Sequence, residues 1–543
     1  MSQTFSRARR HFFAQAGAGL MAWAAMPGLA RAMEGMGDMP KTPPRQASAN
    51  FHPDVELDLI CQQATQTILP GQPTRVLKYT GKLLRGPAGT LTELPDSYLG
   101  PLLRFETGQK IRINLRNRLH GPTITHWHGL HVPAEMDGHP LYEIAAGETY
   151  VYEFEMRNRA GMNLYHPHTH NLTGKHVYQG LAGAILVNDS EERRLGLPDG
   201  EYEIPIVIQD RRFDGQNQLV YASHMHDRMM GFYGDRILVN GCPDFQLDAD
   251  ARAYRFRVLN GSTARIYKLA WDDASPVTVI GCDGGLLETP IDKPYVMLAP
   301  GERIDVWADF SGRKVGTRLT MRSRSFSGVL PGMGERMMGG MHGSALPVGG
   351  DYPIFQVRIA RPAGDSPALP HKLSTIKRYR PTDTANPRQP VPIGISEGPM
   401  RMVLNDRPYA FNDIQPGERI QVDTLQTLEI FHTHGGMGRG GMMGMGRHGM
   451  GGNMGMMMAM AHPIHLHGQQ FQILERDTAG VSADYASVKD GFIDSGWKDT
   501  VLVMPGERIK MIKPFQDFKG LFMYHCHNLE HEDMGMMRDF LVE

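Results

Sequence analysis

Near the C-terminus one stretch concentrates side chains able to hold a soft metal ion: His525-Cys526-His527, followed by His531 and Met536. Leu521-Phe522-Met523-Tyr524 before it reads as a buried strand, so side chains should alternate faces through the triplet. His525 and His527 then point one way and Cys526 the other. A thiolate, the imidazole of His531 and the thioether of Met536 are three of the four groups of a blue-copper site. The fourth, a second imidazole, must come from elsewhere. In His462-Pro463-Ile464-His465-Leu466-His467, His465 and His467 share a strand face and His462 falls outside that pair, which makes His462 the natural candidate.

Two further pairs extend the pattern, His126-Trp127-His128 and His166-Pro167-His168. With 24 His in 543 residues, chance placement gives about one His-x-His pair. The chain has seven. The order and surroundings of these motifs (His-Trp-His-Gly, Tyr-His-Pro-His, His-Pro-Ile-His-Leu-His-Gly, then His-Cys-His with its trailing His and Met) resemble the four copper-binding motifs of the multicopper oxidases, over nearly the whole mature chain.

Residue by residue, the resemblance implies four copper ions. Cys526, His462 and His531 would be the strong ligands of the mononuclear type 1 site, with Met536 axial. His126 and His465 would hold the type 2 ion, and His128, His166, His168, His467, His525 and His527 the type 3 pair. His170, which extends the second pair, is assigned a supporting place behind the ligands. The implied reaction couples four one-electron oxidations to reduction of O2 to water, so acids must deliver protons; Asp137 and Glu532 are the candidates. The chain departs from the family at Leu164-Tyr165, where an aromatic pair is usual before the second motif.

The positioning elements read as all-β. Ile111-Arg112-Ile113-Asn114-Leu115 and Tyr150 to Met156 alternate as half-buried strands, and no sustained helical period follows Phe51. Ala146-Gly147-Glu148-Thr149, Pro300-Gly301-Glu302-Arg303, Pro416-Gly417-Glu418-Arg419 and Pro505-Gly506-Glu507-Arg508 each read as a turn launching an alternating strand. Ile113-Asn114-Leu115-Arg116-Asn117 is echoed in Arg257-Val258-Leu259-Asn260, so one sandwich module is present in three copies. The resemblance implies three cupredoxin-like Greek-key β-sandwich domains, at 50–195, 196–365 and 366–543, with Arg361 to Pro392 as a connection. The motifs fall in the first and last, which places the site between them and leaves the middle domain as a spacer with a minor His224-Met225-His226 pair in a loop.

Before the first domain, residues 1–32 read as a twin-arginine-type export signal: Arg9-Arg10, a small-residue apolar run from Ala14 to Leu29, and a cleavage pattern at Ala30-Arg31-Ala32. No stretch is long and apolar enough to span a membrane. A periplasmic monomer is the expectation. With 57 basic against 58 acidic residues, no nucleic-acid partner is indicated. Of Cys61, Cys242, Cys282 and Cys526, the pair Cys242 and Cys282 is a candidate bridge.

Methionine is abundant, at 36 residues. Met437 to Met460, inserted before His462, holds ten Met, much Gly and no carboxylate, and so reads as a flexible lid rather than a helix. Thioethers favour Cu(I), which makes Met460, Met458, Met456 and Met454 candidate contacts for Cu(I) as substrate; Met333, Met337, Met338 and Met341 form a second cluster. The insertion resembles the Met-rich segments of periplasmic cuprous oxidases of copper tolerance. Met460 matches a substrate-copper Met of that group, while Met458 stands where it carries an Asp. The expected activity is therefore Cu(I) oxidation by O2. The alternatives are a laccase acting on phenols and aromatic amines, and a copper-sequestering protein with little turnover.

Overall fold

The computed structural model describes residues 42–222, 224–331, 346–398, 401–433 and 459–543. The export segment 1–32, the Met333 to Met341 cluster and Met454, Met456 and Met458 lie outside the described residues. Six sheets come from three consecutive stretches of chain, two from each.

The same wiring recurs in each stretch. Val55–Gln66 runs parallel to Lys110–Asn117, which is antiparallel to Thr149–Glu155. Glu203–Arg211, Ala253–Asn260 and Arg303–Asp309 repeat this arrangement, as do Val391–Gly398, Thr424–His432 and Arg508–Phe515. Each opposing sheet likewise contains a parallel pair: Leu102–Glu106 with Gly183–Asn188, Gln246–Asp250 with Tyr352–Arg361, and Arg419–Ile420 with Met537–Val542. Alternating burial fits the sandwich, with Lys110–Asn117 hiding Ile111, Ile113 and Leu115 on one face.

The sequence echo has a physical cause. Asn117 and Asn260 end equivalent strands, fully buried. Each side-chain amide donates to two loop carbonyls, Gly121 and Ile144 for Asn117, Arg265 and Leu298 for Asn260, and each amide oxygen accepts from the N–H two residues on. The backbone carbonyls of the two asparagines take the N–H of Gly147 and Gly301, in turns where both glycines have positive φ, 88° and 82°. The strand end and the turn that launches the next strand are thus tied together. The Pro416 turn departs from this pattern: Gly417 lies in the 3-10 helix Pro416–Glu418, and only the two-residue strand Arg419–Ile420 follows.

Two expectations need correction. No disulfide forms, and Cys242 and Cys282 are both free. They lie on strands separated by four others in one seven-stranded sheet, and at about 4.8 Å per strand that gap far exceeds the reach of a bridge. His224-Met225-His226 is not a loop, because Met225–Met230 is a short helix whose Met229 and Met230 are buried in the core around Ile464, Cys526 and Met536.

A buried ion network joins the first stretch to the second. Arg257 donates from Nε to Glu203 (2.9 Å), from one terminal nitrogen to Asp305 (2.8 Å) and from the other to Glu192 (2.7 Å), and Arg255 shares Asp305 and Glu192. All five side chains are nearly inaccessible. Removing one partner of such a set leaves uncompensated charge in the interior, at a cost of about 3–5 kcal/mol. Arg257→Ala is therefore expected to lower the thermal unfolding midpoint clearly in calorimetry; an unchanged midpoint would show that the network carries no such weight.

Candidate metal centre

The hairpin-like pair His462–Leu466 and Gly520–Cys526 sets the geometry. Ile464 lies opposite Cys526 and His465 opposite His525. Because successive side chains take opposite faces, His462 and Cys526 meet on one side of the sheet, while His465, His467, His525 and His527 gather on the other. Thr125–His128 and Gly161–Pro167, paired with His126 opposite His166, bring the first two motifs to that second side.

On the first side, Cys526 Sγ stands 3.4 Å from His462 Nδ1 and 3.8 Å from His531 Nδ1, all three fully buried. Met536, also fully buried, is tied to them by backbone: its N–H donates to the His531 carbonyl and its carbonyl accepts from the Cys526 N–H. The outer nitrogens are held as well. His531 Nε2–H donates to the carbonyl of Met229 at 3.1 Å, and His462 Nε2–H to Glu397 at 2.9 Å. Burial pushes the Cys526 thiol well above its ordinary pKa, so a thiolate there needs a cation beside it. Burial also pushes Glu397 up, yet the N–H groups of His432 and His462 outweigh it and hold the carboxyl at about 2.

On the second side eight imidazoles share one space. His126 Nε2 lies 3.4 Å from His465 Nε2, and His525 Nε2 lies 3.2 Å from His467 Nε2 and 3.4 Å from His168 Nε2. Three more rings, His128, His166 and His527, pack with centroids 4.9 to 5.9 Å apart. Burial, reinforced by neighbouring rings, pushes His168, His465, His467 and His527 well below the ordinary histidine value. His128 is pushed down too, with Arg303 adding to the effect, and His166 falls to about 3. Neutral rings keep a lone pair each. His128 Nδ1, His166 Nε2 and both nitrogens of His527 are buried with no hydrogen-bond partner, a costly state in a protein interior unless something binds there. These donor sets suit copper, for which imidazole and thiolate are fitting ligands.

The two proton-delivery candidates are buried rather than superficial. Asp137 accepts from His467 Nδ1–H at 2.8 Å, and its backbone carbonyl accepts from His126 Nδ1–H at 2.6 Å; burial pushes its carboxyl upward. Glu532 Oε2 stands 3.0 Å from His525 Nδ1, and Oε1 stands 3.6 Å from His168 Nε2. His170 donates its backbone N–H to Glu143 at 2.5 Å, while both of its ring nitrogens are unpartnered. Leu164 and Tyr165 are buried packing residues, with the Tyr165 hydroxyl donating to the Pro101 carbonyl.

Sequence reasoning missed Asp499, Arg303, Glu397, His432 and Met229. His128 Nε2–H donates to Asp499 at 3.0 Å, which leaves Nδ1 facing inward, and Arg303 grips the same carboxylate with two bonds of 2.6 Å. Gly129, after the His-Trp-His motif, sits under this pair: a Cβ there would come within 2.7 Å of Arg303 and 2.9 Å of Asp499. Since Arg303 and Met229 belong to the middle stretch, that stretch is no spacer. Two hints were legible: Arg303 closes a Pro-Gly-Glu-Arg turn, which reads as turn chemistry only, and His432 opens one of the seven His-x-His pairs, outside the four motifs.

Family models described as multicopper oxidase match residues 77–192 and 451–543. In both its first and its last stretch the chain is similar to the multicopper oxidases. The enzyme is 29% identical to a laccase of Bacillus stratosphericus over 81% of this chain and 88% of that one. It is likewise 29% identical to a laccase of Bacillus subtilis (strain 168), over 77% and 79%. Among solved structures, the McoA multicopper oxidase of Aquifex aeolicus superposes with a TM-score of 0.71 at 29% identity, covering 91% of this chain and 97% of that one. The enzyme is thus an oxidoreductase of cupredoxin-like β domains, with copper as cofactor and O2 and a reducing substrate as reactants. No helix among the described residues is long and apolar enough to cross a membrane.

Asp499→Ala removes the acceptor that fixes the His128 tautomer and strands the Arg303 charge. Loss of such an outer partner typically costs about 10–100-fold in metal affinity. Copper per chain, measured by atomic absorption after dialysis against a chelator, is expected to fall in Asp499→Ala and to fall less in Asp499→Asn, which keeps an acceptor for His128. Equal copper in all three proteins would remove Asp499 from this role.

Proposed function

We propose that the enzyme oxidises Cu(I) at the expense of O2 in the periplasm, reached through the twin-arginine-type signal 1–32, and so contributes to copper tolerance. In this reading the chain is a monomer of three domains, 50–195, 196–365 and 366–543, carrying four copper ions. His462, Cys526 and His531, joined by Met536, would hold the type 1 ion. His126 and His465 hold the type 2 ion. His168, His467 and His525, whose ring nitrogens cluster, would hold one type 3 ion, and His128, His166 and His527, with their orphaned nitrogens and neighbouring rings, would hold the other.

When bound, the copper ions supply a one-electron acceptor for substrate and the place where O2 takes four electrons and four protons to become two waters. The protein's own part is to connect, to orient and to hold protons. Cys526 is bonded through the chain to His525 and His527, giving a covalent route from one face of the sheet to the other. Asp137 and Glu532, beside His467 and His525, would be the groups that deliver protons.

What carries the Cu(I) reading is the set of soft donors leading to His462. Met454, Met456 and Met458 precede Met460 in sequence, and Met460 is buried with its N–H on Glu397, the acceptor of His462. The laccase reading is favoured by the names of the two Bacillus relatives. Oxygen uptake with Cu(I) against uptake with a phenol separates the two, and negligible uptake with both would point to copper sequestration.

Two outcomes are expected. Cys526→Ser should lose the intense blue absorption that needs a thiolate, while copper at the histidine cluster remains; a mutant that stays blue would refute the type 1 assignment. Replacing 437–458 with a short Gly/Ser turn, sparing the buried Met460, should lower Cu(I) oxidation while phenol oxidation is kept or raised. A parallel fall in both rates would mean that the segment supports the blue site rather than Cu(I) capture.

A further inference from the structure

Glu397 sits at the end of Val391–Gly398 and His432 at the end of Thr424–His432, neighbouring parallel strands. The Glu397 carboxylate takes three N–H groups: His462 Nε2–H (2.9 Å) and the Met460 backbone N–H (2.8 Å) on Oε1, and His432 Nδ1–H (3.3 Å) on Oε2. Both rings donate to it, so in their neutral forms each must carry its lone pair on the other nitrogen. For His462 that is Nδ1, which faces Cys526. For His432 it is Nε2, which is buried and has no partner.

The two histidines are thus mirror images about one carboxylate, ring centroids 5.9 Å apart. One presents its lone pair to the blue site, and the other presents an equivalent lone pair to no partner among the described residues. A bare buried acceptor normally costs stability. A ligand that accepts the lone pair removes the cost. The adjoining carboxylate selects a cation, and imidazole is a ligand that copper accepts.

We propose that His432 Nε2, with Glu397 and Met460 beside it, docks Cu(I) as substrate, and that the path His432–Glu397–His462 is its electron-entry route. This inference rests on the cuprous-oxidase reading. Each Cu(I) loses one electron and leaves as Cu(II). Four such electrons and four protons reduce one O2 to two H2O, with no further oxidant or reductant. A phenol has no use for a bare imidazole lone pair in this position, whereas Cu(I), which is content with few ligands, does.

The test uses the fully metallated enzyme and Ag(I), a redox-inert stand-in for Cu(I). Crystals soaked in Ag(I) should show anomalous density at bonding distance from His432 Nε2. In oxygen-uptake assays His432→Gln should raise KM for Cu(I) by about 10-fold or more, lowering the ratio of Cu(I) to phenol kcat/KM, with the blue absorption reporting that the type 1 site is intact. Ag(I) bound only elsewhere, together with an unchanged ratio in His432→Gln, overturns the inference while leaving Cu(I) oxidation by the wild type standing. Equal losses with Cu(I) and phenol also overturn it, since they mark His432 as a structural prop for His462. Ag(I) at His432 in an enzyme that consumes no O2 with Cu(I) supports the cation site and removes the reading it rests on.

Discussion

An imidazole has two nitrogens, and a buried ring can offer a lone pair from one only if something accepts the proton on the other. That constraint governs both clusters. His126 and His465 give their outer N–H to the backbone carbonyls of Asp137 and Asp499, His467 to the Asp137 carboxylate, and His166 to the carbonyl of Pro167. On the other face of the sheet, His462 and His531 give theirs to Glu397 and to the carbonyl of Met229. Inward lone pairs are therefore fixed by outward acceptors, and the acceptors come from all three stretches of the chain. His128 is reversed: its Nε2 faces Asp499 and its Nδ1 faces inward, which explains why that carboxylate is clamped by two bonds from Arg303.

The acceptors dictate much of the surrounding architecture. A carboxylate buried among imidazoles calls for a counter-charge, and Arg303 supplies it to Asp499 from the start of a strand in the middle stretch. Arg303 must then pass close to Gly129, where a side chain would collide with it. The short helix Met225–Met230 exists at the place where His531 needs a carbonyl, and its two buried methionines pack into the core around Cys526. A stretch with no ligand motif thus sets ring orientation in both clusters.

How much of this was legible in the sequence follows from range. His-x-His pairs, the strand through Cys526 and the Asn-ended strands are local patterns, and period-two alternation converts them directly into faces of a sheet. Asp137 and Glu532 were legible as acids by their offset from a motif, though not as buried groups. Glu397, His432, Asp499, Arg303 and Met229 were not legible as hydrogen-bond partners. Each is a single residue of common type whose partner lies in a different strand or a different stretch, and no local pattern records which side chain will complete a hydrogen bond across an interface. The expected Cys242 to Cys282 bridge failed for the same reason, since their count suggested a pair and only the strand order shows the gap.

The two clusters are held apart by the least adjustable feature of a strand. His462 and His465 are three residues apart, and Cys526 is flanked directly by His525 and His527, so each strand places candidate ligands on both faces through its pleat. Side-chain substitutions can retune either cluster but cannot change this spacing, because a one-residue slip in register would turn every ligand to the wrong face. Pairing of Ile464 with Cys526 and of His465 with His525 fixes that register, reinforced on the far side by His462 opposite Val503 and His465 opposite Thr500. Freedom to vary without disturbing the sheet is therefore left beside the pleat, where the buried Glu397, His432 and Met460 meet His462.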